Sequence, residues 1–534
     1  LACALARHGV ACRVVEQGAA PSRLSRASGV HARTLEVLEA LGCAEDLIAR
    51  GRRLYGTNVY AGAERLVHVS FDDLDSPYPF VLMVPQHDTE MVLEARARAL
   101  GVRIDRGVRL DAFTQDALGA DVVLAGVDGT HESARVGWLV GCDGAESAVR
   151  KALGVGFAGD ASEEHFALAD VHIDWNVPSD EGHVYFAPDG MLAAFPMPGE
   201  DRWRLMAANV EDELDAGAFA ALLESRSLHA ATVSDPTWTT TFSVQRRLAT
   251  SYRVGRAFVA GDAAHIHSPI GGQGMNTGIQ DAFNLAWKLA LVVRGEGRRG
   301  LLDSYELERR PIAALTIEGT DLATRVVTLR SALAREIRDL AAMYLTSLEA
   351  VQSRMVATAA ETAVHYRGSP IVDEFRTSVA RSRFLADRST ERPSMADWVE
   401  FSEAPAPGER ARDALLATGE RLFEYVHGPH HMLLLFDGAA ATAEGYRGFV
   451  AIARAVRMRC GERVMIRMVV PSAERPAALP DDGTVWLDPG GALHRRYGAG
   501  SECLFLFRPD GYVAFRSQPA HGDALMRYLD GVLT

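Results

Sequence analysis

Along the first part of the chain, segments whose apolar residues recur with a helical period alternate with short apolar runs that are typical of strands. The opening residues have a helical pattern that Gly9 ends, and the apolar run from Val10 to Val15 predicts a strand that closes in Glu16. The segment 86–101 again has the pattern of an amphipathic helix that ends at a glycine. Alternating helices and strands predict a doubly wound α/β domain, here over residues 1–161.

The order of helix, strand and acid at the start of the sequence is the second half of a dinucleotide-binding βαβ unit. In such a unit the acid at the end of the strand, here Glu16, binds a ribose hydroxyl. The first strand and its G-x-G-x-x-G turn would precede Leu1, so we expect roughly ten to twenty residues to be missing from the sequence. A mature chain that is trimmed at this point is the alternative.

The period of the apolar pattern shortens over residues 162–250, where short runs are separated by Gly, Pro and Asp. This pattern predicts a β-sheet domain inserted into the first domain. The predicted strands lie in FALADVHIDW (166–175), GHVYFAPDG (182–190), MLAAFPMPG (191–199) and DRWRLMAANV (201–210). The chain then returns to the first domain over residues 251–390, of which 301–385 have a helical pattern.

Residues 391–534 form a separate C-terminal pattern. Residues 391–411 are rich in proline and charge and indicate a linker. Asp510-Gly511 is a turn signal between two apolar runs and predicts a hairpin. The other predicted elements are strands at 432–436 and 463–470, and helices at 446–456, 492–497 and 523–532.

The segment from Ala257 to Arg294 combines a strand, an acid, a glycine-rich turn and a long helix. The apolar run 256–260 predicts the strand, Asp262 follows it, and the helix is predicted from Met275 to Arg294. A proline and four glycines let the backbone approach a large flat ligand: Pro269, Gly271, Gly272, Gly274 and Gly278. The bare N–H groups at the helix start suit a ring that becomes anionic on reduction.

A second motif occupies residues 136–154. The run Trp138–Gly141 predicts a buried strand, Asp143 and Gly144 follow it, and a short helix is predicted from Ser147 to Leu153. An Asp-Gly pair by itself indicates only a turn, but its spacing to the first motif favours a functional role.

These two motifs resemble those of the FAD-dependent aromatic hydroxylases, which are single-component flavoprotein monooxygenases, in the branch of the phenol and aromatic polyketide hydroxylases. The resemblance implies a Rossmann-like FAD-binding domain that is interrupted by a β-sheet substrate domain, and a thioredoxin-like C-terminal domain. The FAD contacts that it implies are Glu16, Arg26, Gln86, Asp143, Gly144, Asp262, Pro269, Gly272, Gly274, Met275 and Asn276.

The resemblance also assigns roles within this set. Asp262 takes the ribityl and ribose region, Asp143 lies near the pyrophosphate and the nicotinamide path, and Arg150 fills the family's Arg position beside it. Arg26 lies over the flavin, whereas Arg33 is either a second such residue or a solvated charge at a helix start. Arg309 and Arg310, before Pro311, match a signature that we interpret as structural.

The chemistry implied by the resemblance is hydroxylation. NADPH or NADH reduces FAD, O2 forms a flavin C4a-hydroperoxide, and one oxygen passes to a phenolic or aromatic polyketide substrate. The substrate is predicted to lie between the inserted sheet and the flavin, near Tyr185, Phe186, Phe195, Met197 and Trp203. Because successive strand residues face opposite sides, only some of these can line the site. The sequence identifies no general base.

Composition narrows the class of protein. The 534 residues carry a net charge of −14, which argues against nucleic acid as a partner. No apolar run is long enough to predict a membrane span. The six cysteines are scattered without metal-ligand spacing, which favours a reducing cytoplasm. The C-terminal domain is therefore predicted to be a packing or homodimer surface rather than a redox site. The histidines at 265 and 267 and those at 427, 430 and 431 could suggest a metal. No carboxylate or cysteine completes a plausible shell near either group, so no metal is expected.

Two alternatives stay open at this stage. A related flavin enzyme would carry out epoxidation, Baeyer–Villiger oxidation or antibiotic inactivation. A non-catalytic, truncated homologue would bind no flavin.

Overall fold

The computed structural model describes residues 1–534 except 23–24, 26, 63, 189, 209–213, 228, 328–337, 339–348, 378–392 and 439–445. Arg26, a predicted FAD contact, lies outside the described residues. The chain forms two compact units. Unit 1 comprises Leu1–Ala6, Ala11–Ala282 and Arg309–Ala363, and unit 2 comprises Arg7–Val10, Phe283–Glu308 and Val364–Thr534.

Small sheets and helices of unit 1 make up the predicted nucleotide-binding part. Arg13–Glu16 pairs in parallel with Arg103–Arg106. Leu139–Gly141 pairs in parallel with Ala257–Val259, which also pairs antiparallel with Arg253–Val254. Two three-stranded sheets are antiparallel. The first consists of Val108–Gln115, Ala120–Gly126 and His131–Val136. The second consists of Gly29–Val30, Val81–Met83 and Arg52–Leu54. The helices are Ala2–Arg7, Ala32–Ala40, Ala44–Ile48, Gln86–Ala99 and Ala148–Ala152.

An eight-stranded sheet is the largest element of unit 1. Its order is His265–Ile266, Ala231–Ala249, Phe157–Trp175, Arg202–Ala208, Gly190–Pro196, Glu181–Ala187, Gly56–Ala61 and Glu64–Ser70. The four predicted strands are present. The sheet also contains the 19-residue strand Ala231–Ala249 and recruits residues 56–70, which the sequence pattern did not indicate. The helix Ala216–Arg226 packs on one face of this sheet.

A six-stranded mixed sheet forms the centre of unit 2. Its order is Asp373–Arg376, Val513–Gln518, Cys503–Phe507, His431–Phe436, Val464–Val470 and Val485–Leu487. Buried apolar clusters cover both faces of this sheet. Its helices are Met395–Glu403, Leu422–Val426, Arg447–Cys460, Ala492–Arg496 and Gly522–Val532. The predicted hairpin at Asp510-Gly511 is confirmed.

Two predictions for the later part of the chain are wrong in detail. Residues 301–385 contain the helices Asp303–Val327 and Glu349–Ala359, but Asp373–Arg376 is a strand that pairs with Val513–Gln518. The predicted linker contains the helix Met395–Glu403, which Ser394 and Asp397 begin with a reciprocal capping box. Short elements of this kind lack the periodicity that would have distinguished them from loops.

Unit 2 contains a buried network of two cations and two carboxylates. Lys288 Nζ donates to Glu308 Oε2 at 2.7 Å, and Arg508 donates to both oxygens of Glu308 at 2.7 and 2.9 Å. Arg508 also pairs with Asp510, which accepts from Trp287 Nε1 at 3.0 Å. The charges balance, and the ionic side chains are almost completely enclosed.

Candidate functional site

The turn after strand Ala257–Val259 is built by close backbone packing. A Cβ at Gly278 would lie 3.1 Å from the Cα of Gly261, so glycine lets the helix Gly274–Val293 approach the end of the strand. Asp262 is exposed at this turn. Gly271 and Gly272 have φ values of +83° and +64°, a conformation that other residues rarely adopt.

The first turn of this helix is tied to the strand Gly29–Val30 through Asn276. Its Oδ1 accepts from the backbone N–H of His31 at 3.0 Å, and its Nδ2 donates to the carbonyls of Gly29 and Gly272 at 2.9 and 2.8 Å. The side chain of Asn276 thus makes its hydrogen bonds to backbone groups of the protein. Any contact of Asn276 with a cofactor is expected from the backbone N–H.

The two sequence motifs lie side by side because their strands are parallel neighbours. Gly141 pairs with Val259, so Asp143 and Asp262 follow adjacent strand ends. Asp143 Oδ2 accepts from the backbone N–H of Val149 at 3.1 Å. Gly144 has φ of +74° and open space around it, as a cradle for a ligand requires.

Arg150 links the turns of both motifs. Its Nη1 donates to the carbonyl of Ala263 at 2.9 Å and its Nη2 to that of Ala145 at 2.6 Å. Its guanidinium carbon lies 3.8 Å from the ring centre of Phe157, and the side chain is buried. Arg150 is therefore placed to hold the two turns together.

Glu16 and Gln86 lie at the ends of their predicted elements. Glu16 is exposed at the end of its strand and accepts from the backbone N–H of Gly18 at 2.7 Å. Gln86 begins its helix, and its Nε2 donates to Glu90 at 2.8 Å. The backbone N–H of Gln86 donates to Ser25 Oγ at 2.9 Å.

A buried charged cluster under the helix was not predicted as a unit. Asp281 accepts from His265 Nε2 and Arg309 Nε, each at 2.7 Å, and from the backbone N–H of Gly261 at 3.1 Å. Burial by itself would raise the pKa of Asp281, but the charges of His265 and Arg309 lower it. Arg309 thus has a structural partner, in agreement with the interpretation of its signature.

Arg33 is buried and pairs with Glu36 at 2.9 Å, so it is not a solvated charge.

A second buried acid, Glu361, also lies against this helix. Its carboxyl group accepts from Thr277 Oγ1 at 3.1 Å and from Gln280 Nε2. Burial raises the pKa of Glu361 to about 8. Nothing in the surrounding sequence ATAAETAVH distinguishes this residue from a surface acid.

One face of the eight-stranded sheet is apolar and meets the glycine-rich turn. Phe186, Phe195 and Met206 pack with a buried cluster that Ile270 joins. Ile270 stands between Pro269 and Gly272, two of the predicted FAD contacts. Two of the five predicted substrate residues, Phe186 and Phe195, therefore pack against the same buried cluster as Ile270.

The other predicted substrate residues lie elsewhere. Trp203 packs under the helix Ala216–Arg226 on the opposite face, and Tyr185 stacks on Tyr60 with ring centres 5.0 Å apart. Met197 belongs to a neighbouring cluster with Met83 and Val356. Strand alternation separates Tyr185 and Trp203 from the apolar face, whereas Phe195 also packs against the cluster that contains Met197.

Arg204 is a charged residue on the apolar face that sequence reasoning missed. It stands opposite Phe195 in the strand register and pairs with Asp170 through two bonds of 2.6 and 2.7 Å. Its Nη2 lies 3.3 Å from Ser25 Oγ. Because directly opposed residues share a face, this ion pair marks one end of the apolar surface.

No group of three or more His, Cys, Asp or Glu side chains in the described part of the chain is arranged to hold a metal ion. No helix in the same residues is long and apolar enough to cross a membrane.

Comparison with known proteins gives a consistent result. A family model described as an FAD binding domain matches residues 1–320. The chain is 35% identical to 6-methylpretetramide 4-monooxygenase of Streptomyces rimosus over 97% of this chain and 88% of that protein. It is 32% identical to pentachlorophenol 4-monooxygenase of Sphingobium chlorophenolicum over 99% and 93%.

A solved structure is similar over almost the whole length. The OxyS anhydrotetracycline hydroxylase from Streptomyces rimosus matches with a TM-score of 0.73 and 29% identity, covering 99% of this chain and 96% of that one. The family match and the relatives that cover nearly the whole chain agree with the motifs at the two strand ends. The chain belongs to this FAD-binding family and is an FAD-dependent monooxygenase.

Proposed function

We propose that this protein hydroxylates a phenolic or aromatic polyketide substrate, with FAD as cofactor, NADPH or NADH as electron donor and O2 as oxidant. The observation that carries the proposal is the apolar sheet face that meets the glycine-rich turn at Ile270. It supplies a surface for a flat apolar substrate beside the turn that we assign to the flavin. The names of two relatives, a 6-methylpretetramide 4-monooxygenase and a pentachlorophenol 4-monooxygenase, support this substrate class.

The residues at the strand ends fit FAD. The turn at Gly271 and Gly272 and the open space at Gly144 provide backbone without Cβ atoms, which a cofactor can approach closely. We propose that FAD contacts Glu16, Arg26, Gln86, Asp143, Gly144, Asp262, Pro269, Gly272, Gly274, Met275 and Asn276. When bound and reduced, FAD supplies the activation of O2.

The protein's own contribution is orientation and electrostatics. The N-terminal end of helix Gly274–Val293 carries positive partial charge, which stabilises negative charge on a bound ring. Asp262 offers acceptors to sugar hydroxyls, and Arg150 fixes the turns on which Asp143 and Asp262 stand.

The substrate surface is narrower than the sequence suggested. Phe186 and Phe195, together with Met206, exclude water from the reacting ring. Met197 borders this surface in a neighbouring cluster. Tyr185 and Trp203 lie on the other face of the sheet, so we leave them out of the proposed lining.

The test is NADPH oxidation in air by the full natural chain with a panel of phenols and aromatic polyketides, followed by product mass. One compound should accelerate NADPH use and gain one oxygen atom as a new ring hydroxyl. A gain of one oxygen without a new hydroxyl would support epoxidation or Baeyer–Villiger oxidation. A protein that holds no flavin would support the non-catalytic alternative.

We also propose a division of the chain into domains. The division is an FAD-binding domain at 1–161, a substrate domain at 162–250, a return segment at 251–390 and a thioredoxin-like domain at 391–534. The mixed six-stranded sheet supports the last assignment. Two buried cysteines of this domain, Cys460 in a helix and Cys503 in a strand, are free thiols. We propose that this domain is a packing or homodimer surface and that the protein is cytoplasmic.

A further inference from the structure

Glu361 lies at a structurally constrained position just after helix Glu349–Ala359. Its φ of +58° is in the left-handed region, which costs a non-glycine residue free energy. The flanking backbone is fixed, because the Ala360 carbonyl accepts from the N–H of Arg33 at 3.3 Å and the Ala363 N–H donates to Ala357 at 3.2 Å. Glycine would relieve this strain, so the advantage of glutamate here comes from its side chain.

That side chain is directed at the helix whose start we assign to the flavin. Glu361 accepts from Thr277 and Gln280, which lie in the first two turns of Gly274–Val293. Thr277 follows Asn276 directly and its carbonyl accepts from Arg309 at 3.1 Å. The helix start is thus held by Asn276 on one side and by Glu361 on the other.

The partners of Glu361 carry no charge, and although their hydrogen bonds lower its pKa, burial raises it by more. Thr277 and Gln280 are neutral, and Gln280 Oε1 is buried with no hydrogen-bond partner among the described residues. The oxygen and nitrogen of a glutamine amide are assigned by their contacts, so a rotated amide would accept the proton of a neutral Glu361. This arrangement would give the proton of Glu361 an acceptor.

Among the described residues, no charged group forms an ion pair with Glu361, and the cation with the largest electrostatic effect on its pKa is Arg309. Arg309 lowers the pKa of Glu361 and Asp281 raises it, but burial has the largest effect and raises it to about 8. Arg309 is itself paired with Asp281. From the segment that begins the helix Ala32–Ala40, Arg33 is paired with Glu36, and burial lowers the pKa of His31 to about 4.

We propose that Glu361 is a positioning residue for the flavin. As a neutral acid it holds the first turns of helix Gly274–Val293 without cancelling the positive partial charge at the helix start. This inference rests on the proposed function, because it needs FAD at that helix start. When Glu361 ionises, its negative charge opposes negative charge on the reduced flavin, so the flavin becomes harder to reduce.

The experiment compares the full natural protein with Glu361→Gln, Glu361→Ala and the exposed control Glu318→Gln. The FAD dissociation constant and the flavin midpoint potential are measured from about pH 6 to about pH 9, which spans the pKa of the group. In the wild type and in Glu318→Gln, the potential should fall by an additional step near pH 8. Glu361→Gln should lack this step, and Glu361→Ala should weaken FAD binding about tenfold through the lost hydrogen bonds.

Two results would overturn the inference. One is the same additional step in Glu361→Gln as in the wild type. The other is wild-type FAD affinity in Glu361→Ala. If Glu361→Ala does not fold, the glutamine variant still decides the question.

The hydroxylation assay separates this inference from the proposed function. Wild-type protein that hydroxylates its substrate, combined with unchanged Glu361 variants, would remove the role of Glu361 alone. Wild-type protein that binds no FAD would remove both.

Discussion

Two buried carboxyl groups, one in each compact unit, have pKa values that are shifted in opposite directions. Glu308 in unit 2 receives hydrogen bonds from Lys288 and Arg508, and their charges lower its pKa although burial by itself would raise it. Glu361 in unit 1 receives them from a hydroxyl and an amide, and its pKa rises to about 8. The comparison shows that the charge of the partners, not the depth of burial, decides whether a buried acid is ionised.

The largest expected effect comes from removing a cation beside Glu308. Arg508→Ala leaves Glu308 and Asp510 in excess over Lys288 in an enclosed site, so we expect it to reduce the free energy of unfolding by roughly 3–5 kcal/mol. Urea denaturation measures this loss. The exposed Arg447→Ala is the control and should change the free energy by less than about 0.5 kcal/mol. Similar small losses in both variants would mean that the network in unit 2 tolerates an unpaired charge.

The second prediction concerns cofactor binding rather than stability. Asp262→Ala removes an exposed acid from the turn after Ala257–Val259, so we expect purified protein to lose its FAD while the fold is largely kept. Flavin absorbance and far-UV circular dichroism measure the two properties. The exposed Asp73→Ala is the control and should retain flavin. Full flavin content and turnover in Asp262→Ala would contradict our assignment of this turn.

The third prediction uses the pH dependence of stability. Folding raises the pKa of Glu361 to about 8. The contribution of this shift to the free energy of unfolding is complete below the unfolded pKa of about 4.3 and is lost as the pH rises towards about 8. Glu361→Gln has no such loss, so its free energy of unfolding relative to wild type should increase between about pH 5 and about pH 8. The increase is at most about 1.4 kcal/mol per pH unit. A difference that does not change with pH would show that Glu361 is ionised in the folded protein.

The opposite sign is expected for Glu308. Its lowered pKa gives stability that is present above about pH 4.3 and is lost as the solution becomes more acidic. Denaturant titrations of wild type and Glu361→Gln at several pH values separate the two contributions.

The smallest predicted effect tests the neutral partners of Glu361. Thr277→Val removes one donor to the carboxyl group and nearly keeps the side-chain volume. If Glu361 is neutral, the loss should be about 0.5–1.5 kcal/mol, the value of an ordinary hydrogen bond. Thermal denaturation at about pH 7 measures it. A cost of about 3 kcal/mol or more would indicate that the hydroxyl supports a buried negative charge.

The sequence located the elements whose signals are local. The helix Gly274–Val293, the strands before Asp143 and Asp262, and the hairpin at Asp510 each depend on glycine, apolar period or turn residues within a short segment. Such signals require no knowledge of distant parts of the chain.

Long-range features were not predictable in the same way. Glu361 receives its hydrogen bonds from residues more than 80 positions earlier, and no local pattern marks it. The strand Ala231–Ala249 is rich in threonine and contains Pro236, which hides its alternation. Arg33 could not be separated from a solvated charge until Glu36 was seen beside it in the core.

The enclosure of Lys288 also affects how the protein can be handled chemically. From Leu1 to Thr534 the chain has two lysines, Lys151 and Lys288. The side chain of Lys288 is 0% exposed and that of Lys151 is 58% exposed. An activated ester would therefore attach a dye or a sensor surface at one ε-amino group in this span, that of Lys151 in helix Ala148–Ala152. Molecules coupled through that group would all be immobilised in the same orientation.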